Sequence, residues 1–186
     1  MLAYVFWHWP QTGVDTEVYV AHLEAFHQTL AANGPPGFQW SVVFRIEDAD
    51  WLQTRGPAYE EWYVLDGSAA MDPLNDAAVS GVCEAPHNLV AREAAGGTGG
   101  LYRLRAGEGV LQEARFAVWL AKPDGVTYKD FYSALESLTS QPGVALWGRQ
   151  MTLGPTTEFC LHSQTPIQLP PGYTGRQLPL TSVVRV

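Results

Sequence analysis

Three histidines fall early in the chain, His8 in VFWHWP and His22 and His27 in VYVAHLEAFHQTLAA. An imidazole can serve as a base near neutral pH, as a hydrogen-bond donor or as a metal ligand. His22 and His27 stand five apart, roughly 140° around a helix, so they cannot grip one metal from one face. His87 and His162 complete the set. The sequence has no HxxxH, HExxH or CxxC, and Cys83 and Cys160 are widely separated, so no metal site is expected. The plain reading of His22 and His27 is two boundary residues, half covered and hydrogen-bonded. His8 is different. On a strand it shares a face with Tyr4 and Phe6, while Ala3, Val5, Trp7 and Trp9 point the other way. A titratable group in apolar company needs a polar partner, and Arg45, Glu61 and His162 are the candidates. His8 is expected either as a core histidine bonded to a neighbouring strand or as a pocket base or donor.

Charged residues on strands are the next candidates. Glu60 and Glu61 open EEWYVL, and a strand carboxylate such as Glu61 that faces an interior could act as a general base. Arg45 in SVVFR and Arg149 in LWGRQM could hold an anionic group bidentately. The alternative for these charges is mutual pairing at a rim. His162 follows EFCL at a strand end, where loops build sites. His87 in EAPHNL reads as a solvated loop residue. GGTGG at 96–100 lacks the Lys-Ser/Thr of a phosphate loop and reads as a flexible turn.

The elements that position these residues can be read in order. AYVFWHWP is a strand ended by Pro10. Asp15 caps a helix whose apolar stripe is Tyr19, Leu23, Phe26 and Leu30, and Asn33-Gly34-Pro35 stops it. FQWSVVFRI and EEWYVLDG are strands, MDPLNDAAVSGV is a short helix starting near Asp72, and LYRLRAG is a fourth strand. The order β-α-β-β-α-β is that of a ferredoxin-like unit. The pattern then restarts 112 residues on. Trp7 falls on Trp119, Gly13 on Gly125, Asp15 on Thr127, Tyr19 on Phe131 and Leu23 on Leu135. His8 falls on Leu120, and WYVLDGS resembles FCLHSQ, which sets Asp66 against His162. The expectation is an α+β fold of two tandem ferredoxin-like repeats, 1–106 and 113–186, joined by AGEGVLQEA. PIQLPPGYTGRQLP is too rich in Pro and Gly for a second helix, so a loop stands there.

Two such antiparallel sheets can pack face to face and pair their open edges into an α/β barrel with the helices outside. In this the sequence resembles the dimeric α/β-barrel superfamily, with both barrel halves in one chain. The first helix is similar to the EthD-like branch, in which an early aromatic residue is followed eight positions on by histidine and three further by leucine. Here these are Tyr19, His27 and Leu30. Leu23 stands where those relatives often have Trp, Gln28-Thr29 replaces their Ala-Pro, and Thr139 takes the place of the histidine in the second half. The resemblance adds His27 to His8 and Glu61 as catalytic candidates. It implies binding, and transformation, of a small aromatic or polyketide-like molecule without a bound cofactor.

Composition limits the classes. The chain has 186 residues, 46% of them hydrophobic, with seven Trp, eight Tyr and seven Phe, which suits a folded domain with a large aromatic core or pocket. Trp7, Trp9, Trp40, Trp62, Trp119 and Trp147 are expected to line an interior pocket, with Trp7, Trp9, Arg45, Arg149 and His162 contacting a small apolar or aromatic molecule. A net charge of −8 disfavours a nucleic-acid partner. No apolar run is long enough for a membrane span. The start lacks the basic region of a signal peptide, and the two distant cysteines suit reduced thiols in the cytoplasm. A homo-oligomer is compatible with all of this. Two other classes compete: a non-catalytic structural or interaction module with a solid aromatic core, and a haem barrel with His8 or His162 as axial ligand.

Overall fold

The computed structural model describes residues 1–54, 56–107, 111–151 and 155–186. Its first strand, β1 (Leu2–Pro10), leads through a turn to α1 (Thr16–Ala32). Asp15 caps that helix as its type predicts, its carboxylate accepting from the backbone N–H groups of Glu17 and Val18 at 2.8 and 3.1 Å. Strands β2 (Phe38–Ile46) and β3 (Ala58–Leu65) follow, then α2 (Met71–Ala78), α3 (Glu84–Glu93) and the long β4 (Ala94–Gly107). The second half runs β5 (Phe116–Leu120), α4 (Tyr128–Thr139), β6 (Ala145–Met151), β7 (Phe159–Ser163), β8 (Gly175–Pro179) and β9 (Thr181–Arg185). Thr127 caps α4, accepting from the Asp130 N–H. Residues 164–174 contain no helix, as their Pro and Gly content led one to expect.

Every strand pairing is antiparallel, and the order is β8-β5-β7-β6-β4-β1-β3-β2-β9. The first half therefore reads β4-β1-β3-β2 and the second β8-β5-β7-β6, the same pattern. Only Leu180 separates β8 from β9, yet β8 pairs with β5 and β9 pairs with β2 at the opposite end of the sheet. One extended segment thus holds both edges. The sheet curls into a nearly closed barrel, and few backbone groups are left at an open edge.

The barrel interior is solid. Trp7, Trp62, Trp119 and Trp147 are each at most 1% exposed, and Tyr102 is fully buried among them. Trp62 meets Trp147 edge-on at 5.2 Å, and Trp7 meets Trp119 at 5.4 Å. This corrects the expected aromatic-lined pocket. The indoles point inward on alternate strand positions and occupy the space a ligand would need. Trp9 and Trp40 are partly buried against the same core.

Two local expectations are also corrected. EAPHNL is not a loop but the start of α3. Pro86 lies in the first helical turn, where the backbone N–H has no intrahelical acceptor to lose. The 94–100 segment is not a turn but the beginning of β4, paired with β1 from Pro10 to Val5. Its glycines are there for space. A Cβ on Gly97 would lie 2.3 Å from Phe6 Cζ, one on Gly96 2.7 Å from Trp9 Cζ2, and one on Gly99 2.9 Å from the Tyr4 hydroxyl. The rings of β1 lie flat across β4 at the positions where glycine leaves no side chain to obstruct them.

Gly97→Ala should lower stability by about 1–3 kcal/mol through overpacking. The loss should fall below about 0.5 kcal/mol in a Phe6→Ala background, because the clash is then gone. Denaturant midpoints of the four proteins in the cycle measure this. An equal loss in both backgrounds would show that ring contact is not the cause.

Candidate functional site

Strand alternation builds the site. Tyr4, Phe6 and His8 stand on the outer face of β1, and Glu61 and Tyr63 on the outer face of β3, with Tyr4 opposite Tyr63 and Phe6 opposite Glu61. Helix α1 covers this face, and its buried stripe brings Tyr19, Phe26 and His27 onto it. The result is a connected polar cluster under a helix. Glu61 Oε1 lies 2.9 Å from His8 Nε2 and 3.5 Å from His27 Nε2. The Tyr63 hydroxyl donates to Glu61 Oε2 and lies 3.4 Å from His27 Nε2. Behind the histidines, His8 Nδ1 meets the Tyr19 hydroxyl at 2.6 Å and His27 Nδ1 meets Ser41 Oγ at 2.7 Å. His8, His27 and Glu61 are all at least nine-tenths buried. The His8 Nε2 approach to Glu61 is out of line for a hydrogen bond, and that nitrogen has no hydrogen-bond partner among the described residues.

The electrostatics follow from this geometry. Burial works to raise the Glu61 carboxyl. The positive charge His8 carries when protonated, together with the contacts to both histidines, outweighs it and holds the group well below the usual carboxylate range. The phenols respond in the opposite sense. Burial, reinforced by the Glu61 charge, pushes Tyr4, Tyr19 and Tyr63 above the ordinary tyrosine value, so all three keep their protons.

Beside the cluster lies a cavity of about 560 Å³, outside the barrel, between the sheet and the helices. Its floor is Tyr4, Phe6, His8, Glu61 and Tyr63. Phe26, α2 with Leu74 and Asn75, and α3 with His87 and Val90 form the other wall, and Gly96 and Gly97 close one side. None of the lining residues is Lys or Arg. His27 does not line the cavity. It supports Glu61 from beneath α1.

Of the predicted residues, the structure brings His8, His27 and Glu61 together and separates the others. Trp7 is inside the barrel, its indole N–H donating to Glu60 Oε2 at 2.7 Å. Trp9 lies over Gly96. Arg45 pairs with Glu47 at 2.9 Å on the surface, and Arg149 donates to the Thr156 carbonyl at 3.1 Å. His162 points into the barrel, 3.9 Å from Glu60 and edge-on to Trp62 at 4.7 Å. The expected partners Arg45 and His162 therefore do not reach His8. The first is at the end of β2 and the second is on the wrong side of the sheet. The match of His162 to Asp66 is corrected as well. Trp7 stands opposite Glu60 and Trp119 opposite Cys160, so His162 corresponds in register to Trp62. A haem on His162 has no room beside Trp62 and Phe44. His22 is the boundary residue expected, 2.9 Å from Glu93 and about a quarter exposed. His87 is half-buried at the cavity wall, not solvated in a loop. The phenols Tyr4, Tyr19 and Tyr63 were not singled out as site residues. The signal that finds Tyr4 and Tyr63 is their period-two spacing from His8 and Glu61.

No protein-family model matches the sequence, and no curated protein matches it. Solved structures do resemble the fold. A "putative monooxygenase" from Lactobacillus acidophilus NCFM superposes with a TM-score of 0.64 at 12% identity, over 99% of this chain and 95% of that one. A second "putative monooxygenase", from Fusobacterium nucleatum, gives 0.64 at 10% identity, over 99% and 93%. At these identities the likeness is one of fold, an α+β chain with a nearly closed antiparallel barrel. Among the described residues no helix is long and apolar enough to cross a membrane, and no group of three or more His, Cys, Asp or Glu is placed to hold a metal.

Because the folded protein holds Glu61 ionised more strongly than the unfolded chain does, its contribution is fully present above the ordinary glutamate value, roughly 4.3, and is lost as pH falls below it. Wild type should therefore lose stability relative to Glu61→Gln on going from pH 7 to pH 3. Denaturant unfolding of both proteins across that range measures the difference, and parallel curves would show that Glu61 is not held ionised.

Proposed function

We propose that the protein binds a small, flat, uncharged molecule in the cavity between sheet and helices and removes an acidic O–H or C–H proton from it. The observation that carries this reading is the placement of His8 and Glu61, 2.9 Å apart and buried, in the floor of one apolar-walled cavity. A volume near 560 Å³ suits a molecule of two or three fused rings. A carboxylate in the floor, with no Lys or Arg in the lining, disfavours anionic ligands.

His8 is the proposed base. With its Nδ1–H donated to the Tyr19 oxygen, the Nε2 lone pair can accept a proton. The imidazolium that results lies against Glu61 Oε1, and His27 and Tyr63 fix that carboxylate from behind. The names of the structural neighbours suggest the electrophile that follows. A substrate carbanion can add to dioxygen, take the proton back from His8 as a hydroperoxide, and lose water to leave a carbonyl. A substrate methylene and dioxygen thus give a carbonyl and water, one oxygen atom going to each product. The electrons come from the substrate.

We further read the chain as two tandem ferredoxin-like repeats, 1–106 and 113–186, related to the EthD-like branch. The repeated strand order and the caps Asp15 and Thr127 support this, as does the burial of Tyr19, His27 and Leu30 under the site. The halves differ at the site itself. Where the first has His8, Glu61 and Tyr19, the second has Leu120, Leu161 and Phe131, packed into an apolar cluster with α4. Each chain then carries one site. The packed barrel interior favours the competing structural module, and the cavity outside it favours a binder.

Thermal melts with 2-naphthol and 2-naphthoate as probes test the proposal. The neutral phenol should raise the melting temperature of wild type more than the carboxylate does, since a ligand that binds only the folded state stabilises it. His8→Leu should fold and lose most of the naphthol shift. A naphthol shift undiminished in His8→Leu would remove His8 from the site, and no shift with either probe would leave the structural module as the better reading.

A further inference from the structure

Glu60 is a buried carboxylate that the proposed chemistry does not use. It is fully inaccessible, inside a barrel otherwise filled by aromatic and aliphatic side chains. An ionised group there is costly unless its oxygens are satisfied. Both are. Trp7 Nε1 donates to Oε2 and Trp62 Nε1 to Oε1, each at 2.7 Å, and His162 Nε2 stands 3.9 Å from Oε1. The two indoles belong to different strands, β1 and β3. Other polar atoms of the same core are not provided for in this way: Trp119 Nε1, Trp147 Nε1 and the Tyr102 hydroxyl have no partner among the described residues. The Glu60 arrangement is thus specific to the two strands that build the site.

The register shows what the arrangement holds. Trp7 is paired with Glu60 in the β1–β3 ladder. His8 is the next residue on β1 and Glu61 the next on β3, and alternation turns both to the outer face. The interior bond Trp7–Glu60 and the exterior contact His8–Glu61 therefore lie back to back across a single layer of sheet. We propose that Glu60 is a positioning residue for the outer site: the indole–carboxylate clamp inside the barrel fixes β1 against β3 and so sets the approach of His8 to Glu61. This rests on the reading of His8 and Glu61 as the working pair. A backbone ladder alone allows a range of twist between neighbouring strands. The buried Trp7–Glu60 bond crosses between the strands where water cannot compete, and Trp62, on the same strand as Glu60, fixes the carboxyl that receives it, so the clamp narrows that range.

The sign of one measurement separates positioning from a direct charge effect. Removing the Glu60 charge acts on Glu61 through space by easing the repulsion between two neighbouring carboxylates, which lowers the Glu61 titration midpoint. Loosening the histidine contacts leaves burial to dominate, which raises it. Carbon-13 NMR titration of the Glu61 carboxyl should show it ionised to acid unfolding in wild type. In Trp7→Phe, which keeps the Glu60 side chain, and in Glu60→Gln, the midpoint should rise by a unit or more, a tenfold or greater change in proton affinity. Trp147→Phe alters the same core without touching the clamp, and should leave Glu61 at its wild-type position. Midpoints unchanged or lowered in Trp7→Phe and Glu60→Gln, with circular dichroism showing both folded, would overturn the proposal and make Glu60 a part of the core only. Should Glu60→Gln not fold, Trp7→Phe decides. No ligand enters the experiment, so its failure is distinct from a failure of naphthol to bind.

Discussion

Two consecutive carboxylates on β3, Glu60 and Glu61, are buried on opposite faces of one sheet, and the site depends on how each is satisfied. Neither could be buried alone without a large desolvation cost. Alternation keeps them apart and gives each its own surroundings: two donating indoles inside the barrel, and outside a donating phenol with two imidazoles facing the carboxylate. A slip of one residue in the β1–β3 register would send both to the wrong face. It would set Glu61 among the indoles and expose Glu60 to the helices. The polar pairings thus help to select the register that the hydrophobic pattern of β3, buried at every position, leaves ambiguous.

The cavity owes its existence to differences between the two halves. Over β5–β7, helix α4 lies directly on the sheet, and Phe131, Leu135, Phe159 and Leu161 fill the gap. Over β1–β3, α1 covers only part of the face. The rest is roofed by α2 and α3, for which the second half has only the Pro- and Gly-rich segment 164–174. The glycines of β4 let Tyr4 and Phe6 lie down across the neighbouring strand instead of standing up into the space above it. Flattened rings, a helical roof set back from the sheet and polar floor residues together leave room for a guest.

Much of the architecture was legible because it rests on period and punctuation. The Tyr19, Leu23, Phe26, Leu30 stripe, the caps Asp15 and Thr127 and the Pro-Gly turns each act locally, and each stands where the sequence placed it. The conjunction of His8 with Glu61 was half legible. Parity gave His8 its face, and chemistry named Glu61 among three partners, but only the β1–β3 register could choose between them. The reading failed where a residue type answered to tertiary contacts. The glycines at 96–100 resemble a turn until the rings lying over them are known, and EAPHNL resembles a loop until Pro86 is seen in a first helical turn. The tryptophan pattern suits pocket walls, although seven indoles in 186 residues are as able to fill a barrel as to line one.

A solid barrel with its site on the outside divides the labour of the fold. The interior carries interlocking rings whose displacement would open voids, so it is the part least able to move. His8, Glu61 and Tyr63 are set on that part, on strands hydrogen-bonded on both sides. The roof is different in kind. Helices α2 and α3 are short, and Val79, Val82 and Leu89 on or beside them are exposed. Short helices with little buried surface open at lower free energy than a barrel core. The packed indoles leave no route to the floor through the barrel, so the floor is approached from the helical side of the sheet. Rigidity is thus placed under the groups whose spacing sets their proton affinity, and looseness is placed over the entrance. Such an arrangement allows a guest in without disturbing the 2.9 Å approach on which the chemistry would depend.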